Sequence, residues 1–158
     1  MTKAPQTLDR AGIAERIPHS GSMCLLERLE SWDAESIHCS TTTHSQADNP
    51  LRTDSGLLAP NAIEYAAQAM ALHGGLLATE GSTPSAGFLA SARNVKLAVA
   101  RLDDIGGALQ VRAQRLSGDD RQVLYEFTVA ADDGRLLAEG RAVVVLNTPL
   151  ADMESTPS

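Results

Sequence analysis

Glu64 is the only charged side chain in the stretch 60–79, whose other members are mostly Ala, Leu, Met and Gly. A carboxylate among apolar neighbours is costly unless it is paired or put to use. An apolar setting also favours the protonated form that a general acid needs. The structural alternative is a capping box, since Asn61 and Glu64 have the spacing with which a Glu reaches back to a helix N-terminus. Spacing alone leaves both open. Four histidines could complement Glu64 as a base. His19 lies in a Pro-His-Ser-Gly turn, where a loop imidazole is free to orient or to brace the turn. His44 lies in the polar run before Asn49 and could enter a site from that loop. His38 alternates with the apolar Ile37 and Cys39 on a strand, which turns it to solvent. His73 sits deep in the apolar stretch, as a hydrogen-bonded core histidine would. An imidazole and a carboxylic acid on an apolar wall can remove a weakly acidic proton and protonate a departing hydroxyl. A backbone N–H at a helix start can hold the negative charge that develops on oxygen. Asn49 can hold a carbonyl or a water but cannot act as a base, and turn chemistry before Pro50 is its structural alternative.

Other chemistries find little support. Ser20, Ser22 and Cys24 near His19 are a weak nucleophile signal. No His, Asp or Glu spacing matches a metal-ligand signature. Gly74-Gly75 and Gly106-Gly107 fall in a helix and a hairpin, not in a phosphate-cradling loop. Neither a metal nor a cofactor is expected. The 158 residues carry 13 basic and 20 acidic side chains, a net charge of -7, and few aromatics. That composition lacks both the phosphate-neutralising surface and the stacking platform of a nucleic-acid binder. Two cysteines, Cys24 and Cys39, are too few for a disulfide scaffold and suit thiols in a reducing cytoplasm. The first ten residues have no apolar signal-peptide core. The most apolar window, 57–78, is interrupted by Asn61, Glu64, Gln68 and His73 and makes a poor bilayer span.

Positioning the candidate groups falls to an α+β chain. Residues 7–16 suit a short helix closed by Pro18, and Met23, Leu26 and Leu29 recur at helical spacing over 22–29. The segments 29–32 and 36–43 read as a hairpin, and 44–56 as loop. Residues 60–79 form the longest helix, apolar nearly all round and therefore buried on most faces. Gly74 and Gly75 weaken it by about 1 kcal/mol each relative to Ala, a cost that tight packing would explain. Four strands follow as a meander at 87–100, 108–116, 122–130 and 136–146, with an Asp133-Gly134 hairpin signal. One domain over 7–146 and a disordered tail over 147–158 complete the expectation.

Three motifs, in order, carry a resemblance. Pro18-His19 with Leu25-Leu26-Glu27-Arg28 resembles the P-H-x-x-P-x-L-L-x-D-R stretch of FabZ-type 3-hydroxyacyl-(acyl carrier protein) dehydratases. Ile63-Glu64-Tyr65-Ala66-Ala67-Gln68-Ala69 is similar to their I-E-A-M-A-Q-A helix, and 87–97 resembles the strand that follows it. The likeness covers roughly 17–146 and is closer to a divergent branch associated with aryl polyene lipid clusters. It implies a hotdog fold, an antiparallel sheet wrapped around one long helix. It also implies dehydration of 3-hydroxyacyl thioesters, with His19 as base and Glu64 as acid. Asn49, Pro60, Asn61, Gln68, Phe88 and Leu89 fall where that family meets its substrate.

The resemblance departs at one place. The H-F-P-G loop that carries the family's catalytic histidine reads Asp48-Asn49-Pro50-Leu51-Arg52, and the following M-P-G-V-L turn reads Leu58-Ala59-Pro60-Asn61-Ala62. Glu64 carries over and that histidine does not, so either His19 or His44 would have to replace it. The implied partners are an acyl carrier protein, whose acidity would call for a basic entrance such as Arg52, Arg93 and Lys96, and a second hotdog subunit in a homodimer or a mixed assembly. A hotdog thioesterase and a non-catalytic subunit supporting a catalytic partner are the alternatives. The chain's 24 alanines and five aromatics leave room beside the long helix, where Ala67 and Ala71 would border an acyl tunnel.

Overall fold

The computed structural model describes residues 5–17, 23–79, 87–119 and 121–146, so His19 and the tail 147–158 lie outside the described residues. Helix α1 (Arg10–Ala14) opens on Asp9, whose side chain accepts from the Gly12 N–H at 3.0 Å; this is the capping that Asp supplies to an orphan helical donor. It is shorter than the expected 7–16. Strands β1 (Arg28–Trp32) and β2 (Ser36–Thr41) form the expected hairpin. Its turn is held by Asp33 Oδ1, which accepts from the N–H groups of Glu35 and Ser36 at 2.8 Å each. The long helix α2 (Ala62–Thr79) follows a 3-10 turn at Ala59–Asn61, and then come β3 (Gly87–Leu97), β4 (Leu109–Gly118), β5 (Gln122–Ala130) and β6 (Leu136–Leu146).

Two expectations need correction. Residues 24–27 are not helical, and β1 begins at Arg28. Cys24, Leu25 and Leu26 are buried in succession, so the spacing of Met23, Leu26 and Leu29 was not the outline of a helical face. The four-strand meander holds only for β4, β5 and β6. The sheet order is β1-β2-β4-β5-β6-β3, antiparallel throughout. After β3 the chain passes the start of α2, where the Ala59 N–H donates to Ala100 O and the Leu102 N–H to Leu57 O. It then adds β4 beside β2, leaving β3 at the sheet edge next to β6.

One face of the sheet packs on α2, the hotdog arrangement expected from the resemblance. The helix buries Ala62, Tyr65, Ala66, Ala69, Met70, Ala71, Leu72 and Leu76, against Ile37, Cys39, Leu109, Val111, Ala113, Phe127 and Val129 from the strands. Strand alternation supplies those inward residues, for example Leu109, Val111 and Ala113 on β4. Gly75 has its packing reason: a Cβ there would stand 3.0 Å from the Arg16 carbonyl oxygen.

His73 is the satisfied core histidine expected. Fully buried, it contacts Asp33 O through Nε2 at 2.7 Å and the Tyr125 hydroxyl through Nδ1 at 2.6 Å. A carbonyl only accepts, so Nε2 carries the ring proton and Nδ1 accepts from Tyr125. His44 is also fully buried; its Nε2 donates to Ile105 O at 2.9 Å, and its Nδ1 has no hydrogen-bond partner among the described residues. Burial pushes both imidazoles below the usual histidine range, so the fold favours their neutral forms. The unfolded chain then takes up protons first as pH falls. Stability is complete above about pH 6.5 and declines below it, by up to about 1.4 kcal/mol per pH unit for each histidine. Urea midpoints at pH 7.5 and 5.5 are expected to show the lower value at pH 5.5.

Candidate active site

Glu64 stands in the first turn of α2 and is half-buried. The capping-box donor is already engaged, because the Asn61 N–H bonds Leu58 O at 3.0 Å, as does its side-chain amide at 3.1 Å. The Ala62 N–H is likewise bonded within the 3-10 turn, to Ala59 O and Pro60 O. Pro60 is exposed. The half-exposed side of α2 runs from Glu64 through Ala67 to Gly74 and Ala78, a stripe of small residues with a single carboxylate at its N-terminal end.

Gln68 lies one turn below Glu64 and is fully buried. Its Oε1 accepts from the Leu25 N–H at 2.8 Å, and its Nε2 donates to Met23 O at 2.7 Å and faces Glu64 Oε1 at 3.5 Å. The carbonyls of Cys24 and Leu25 are also bonded by side chains in place of a strand ladder. Arg10 donates to Cys24 O through Nε at 3.1 Å and Nη2 at 2.8 Å. Leu25 O accepts from the hydroxyls of Thr41 at 2.6 Å and Thr43 at 2.7 Å. Before residue 18, the Arg16 carbonyl lies against Gly75. Arg16 and the 23–25 backbone thus both meet the helix that carries Glu64.

Asn49, where the resemblance would place a histidine, is buried, and both of its amide hydrogens are used. Nδ2 donates to Thr43 O at 2.8 Å and to the Tyr65 hydroxyl at 2.9 Å, and Oδ1 accepts from the Leu51 N–H at 2.8 Å. Tyr65 also shares a 3.0 Å hydrogen bond with Thr43 Oγ1, and burial raises its phenol above the usual tyrosine range. The type of bond Asn49 makes to Leu51 is the turn chemistry its neighbour Pro50 suggested. Asn49 nevertheless lines an open recess of about 420 Å³ with Arg10, Leu25, Glu27, Thr43 and Pro50. His44, in the adjoining turn, has its Nε2 committed to Ile105 O, while His38 is half-buried and meets Gln110 Oε1 at 2.7 Å.

Leu89 on β3 is half-buried and packs against the core, and its neighbour Phe88 pairs with Val145 across the sheet. Of the suggested basic entrance, Arg52 lies 3.6 Å from Asp103. The Asp103 carboxyl also takes two hydrogen bonds from Arg101, at 2.8 and 2.7 Å, which hold it well below the usual carboxylate range. Arg93 and Lys96 are exposed on β3. Among the described residues no group of three or more His, Cys, Asp or Glu side chains could hold a metal ion, and no helix is long and apolar enough to cross a membrane. Sequence reasoning missed the tethering role of Gln68, Arg10, Thr41 and Thr43, because it lies between residues 14 to 45 positions apart.

A family model described as ApeP-like, ApeP dehydratase, matches residues 11–155. No curated protein matches the sequence. Among solved structures, a chain of the dehydratase heterocomplex ApeI:P from Xenorhabdus doucetiae superposes with a TM-score of 0.76 at 24% identity, covering 91% of this chain and 97% of that one. A thioesterase from Haemophilus influenzae superposes with a TM-score of 0.64 at 13% identity, covering 93% and 96% of the two chains. The PaaI protein of the E. coli phenylacetic acid degradation operon does so with a TM-score of 0.59 at 11% identity, covering 86% and 88%.

Proposed function

The chain belongs to the ApeP-like dehydratase family, and on that premise we propose that it converts 3-hydroxyacyl thioesters carried on acyl carrier protein to trans-2-enoyl thioesters, in fatty acid or aryl polyene-type lipid synthesis. His19 takes the proton from the α-carbon. Glu64, as the acid, protonates the β-hydroxyl, which leaves as water while the α,β double bond forms and the thioester stays intact. The observation that supports this reading is that Gln68, which bonds the Leu25 N–H and Met23 O just after residues 18–22, also stands 3.5 Å from Glu64 Oε1.

The substrate would be delivered on a phosphopantetheine arm, with the exposed Arg93 and Lys96 as the basic surface toward an acidic carrier; Arg52 contributes less because of its ion pair with Asp103. A second hotdog subunit fits the same picture. Strand β3 is long and, among the described residues, has one hydrogen-bonding edge unpaired at the end of the sheet, and the similar structure from Xenorhabdus is a heterocomplex. Substrate contacts are proposed at Asn49, which lines the recess, and at Pro60, Asn61, Phe88 and Leu89 around the start of α2 and β3.

Thiol release separates this reading from a hotdog thioesterase. With purified chain, partner subunit and 3-hydroxyacyl carrier, a thiol reagent is expected to detect no release above background while enoyl thioester accumulates; thiol appearing in step with substrate loss would favour hydrolysis. Chain length is read at Ala67, which is half-buried one turn from Glu64. Ala67→Phe is expected to shorten the longest acyl chain accepted while leaving the shortest substrates unaffected. Ala71 is a poorer probe because it is buried, and a Phe there would overpack the core. Equal rates for all chain lengths in Ala67→Phe would place the acyl chain elsewhere.

A further inference from the structure

We propose that the recess beside Asn49 takes an amide N–H of a pantetheine arm, with Asn49 Oδ1 as the acceptor. The inference rests on the reading that the substrate arrives on such an arm, and it names the group of the arm that is recognised. The carboxamide of Asn49 has a fixed orientation. Thr43 O only accepts and the Leu51 N–H only donates, so the atom 2.8 Å from the first is Nδ2 and the atom 2.8 Å from the second is Oδ1. Both hydrogens of Nδ2 are spent, on Thr43 O and on the Tyr65 hydroxyl at 2.9 Å. The oxygen takes the Leu51 N–H, and a carboxamide oxygen has two lone pairs. Asn49 therefore has one acceptor position left, and a bound carbonyl finds no donor on it.

The hydroxyls around Asn49 hold it in this state. Thr43 Oγ1 donates to Leu25 O at 2.7 Å, so the 3.0 Å contact between Thr43 and Tyr65 is made with the Tyr65 hydrogen. Tyr65 in turn has an oxygen ready for the Asn49 amide. The remaining wall has the same bias toward donors. Glu27 and Asp48 line the recess with carboxylates, and the guanidinium of Arg10 spends Nε and Nη2 on Cys24 O. An anionic group would meet those carboxylates, whereas an uncharged N–H finds acceptors. Gln46, exposed and also lining the recess, carries a carboxamide able to donate to the carbonyl of the arm. The β-hydroxyl of the substrate is a donor too, but Glu64 does not line this recess. The group bound here is thus one held away from the reacting carbon, as the amides of the arm are.

The test is an NMR titration of the full chain with pantetheine whose thiol carries a methyl cap, and with its analogue bearing esters in place of both amides. The capped probe is expected to shift the Leu51 amide and the Asn49 side-chain N–H signals. The ester analogue is expected to bind about tenfold more weakly, the scale of one hydrogen bond. Asn49→Ala should bind both probes alike, and the two probes still decide the matter in wild type if that variant fails to fold. Equal affinity for the two probes in wild type, or shifts confined to residues outside the recess, overturns the proposal. Coenzyme A and holo-carrier, titrated in parallel, identify which one presents the arm by the concentration at which each shifts Leu51. Dehydration without any preference for the amide probe would remove the recess assignment alone. Capped pantetheine seated at Asn49 and Leu51, with no dehydration by the chain and its partner subunit, would remove the dehydration reading alone.

Discussion

Glu64→Gln is expected to lower kcat/KM for dehydration by about 10³-fold, within the range for loss of a general acid, and to leave the melting temperature nearly unchanged. The substitution keeps the shape of the side chain and its oxygen toward Gln68 Nε2, and Glu64 is half-buried at the first turn of α2 with no part in the buried core. What it removes is the ability to hand over a proton. Steady-state rates with a melting curve on the same preparation give the result. If the variant turned over at the wild-type rate, this chain would be a supporting subunit and the chemistry would belong to its partner.

His19→Ala is expected to produce a loss of similar size, about 10³-fold in kcat, for removal of the general base. The contrast with His44→Ala gives the prediction its force. His44 is fully buried and donates to Ile105 O. Its removal leaves a cavity and an unpaired carbonyl, a destabilisation of about 2–4 kcal/mol, with the chemistry of the folded fraction retained. Activity normalised to folded protein therefore separates the two histidines: loss in His19→Ala alone assigns the base to the turn, and loss in His44→Ala alone assigns it to the loop before Asn49.

The long helix, the hairpin and all four later strands were legible because their signals are local. Alternation at Leu109, Val111 and Ala113 marks an inward strand face, and the run from Ala62 to Leu76 is too apolar to be anything but buried. The segment after Pro18 was misread because helical spacing and consecutive burial look alike over eight residues. What decides its shape is a set of distant side chains, Gln68, Arg10, Thr41 and Thr43, that satisfy its backbone. The place of β3 at the sheet edge was illegible for the same reason, since strand order follows from how the chain passes the start of α2 at Ala100 and Leu102. Of the candidate site, Glu64 and the core role of His73 could be read from neighbours in sequence. The way Asn49 is locked onto Tyr65 and Thr43 could not, because nothing near Asn49 in the chain announces Tyr65 as its partner.

The central claim is that this chain removes water from a 3-hydroxyacyl group without breaking the thioester. Intact-mass measurement of the carrier protein tests it directly, after incubation of 3-hydroxyacyl carrier with the chain and a partner hotdog subunit. The account predicts a carrier lighter by one water, still acylated, formed with wild type and absent with Glu64→Gln. Carrier stripped to its free phosphopantetheine thiol, or acyl carrier that loses water equally well with Glu64→Gln, would contradict it.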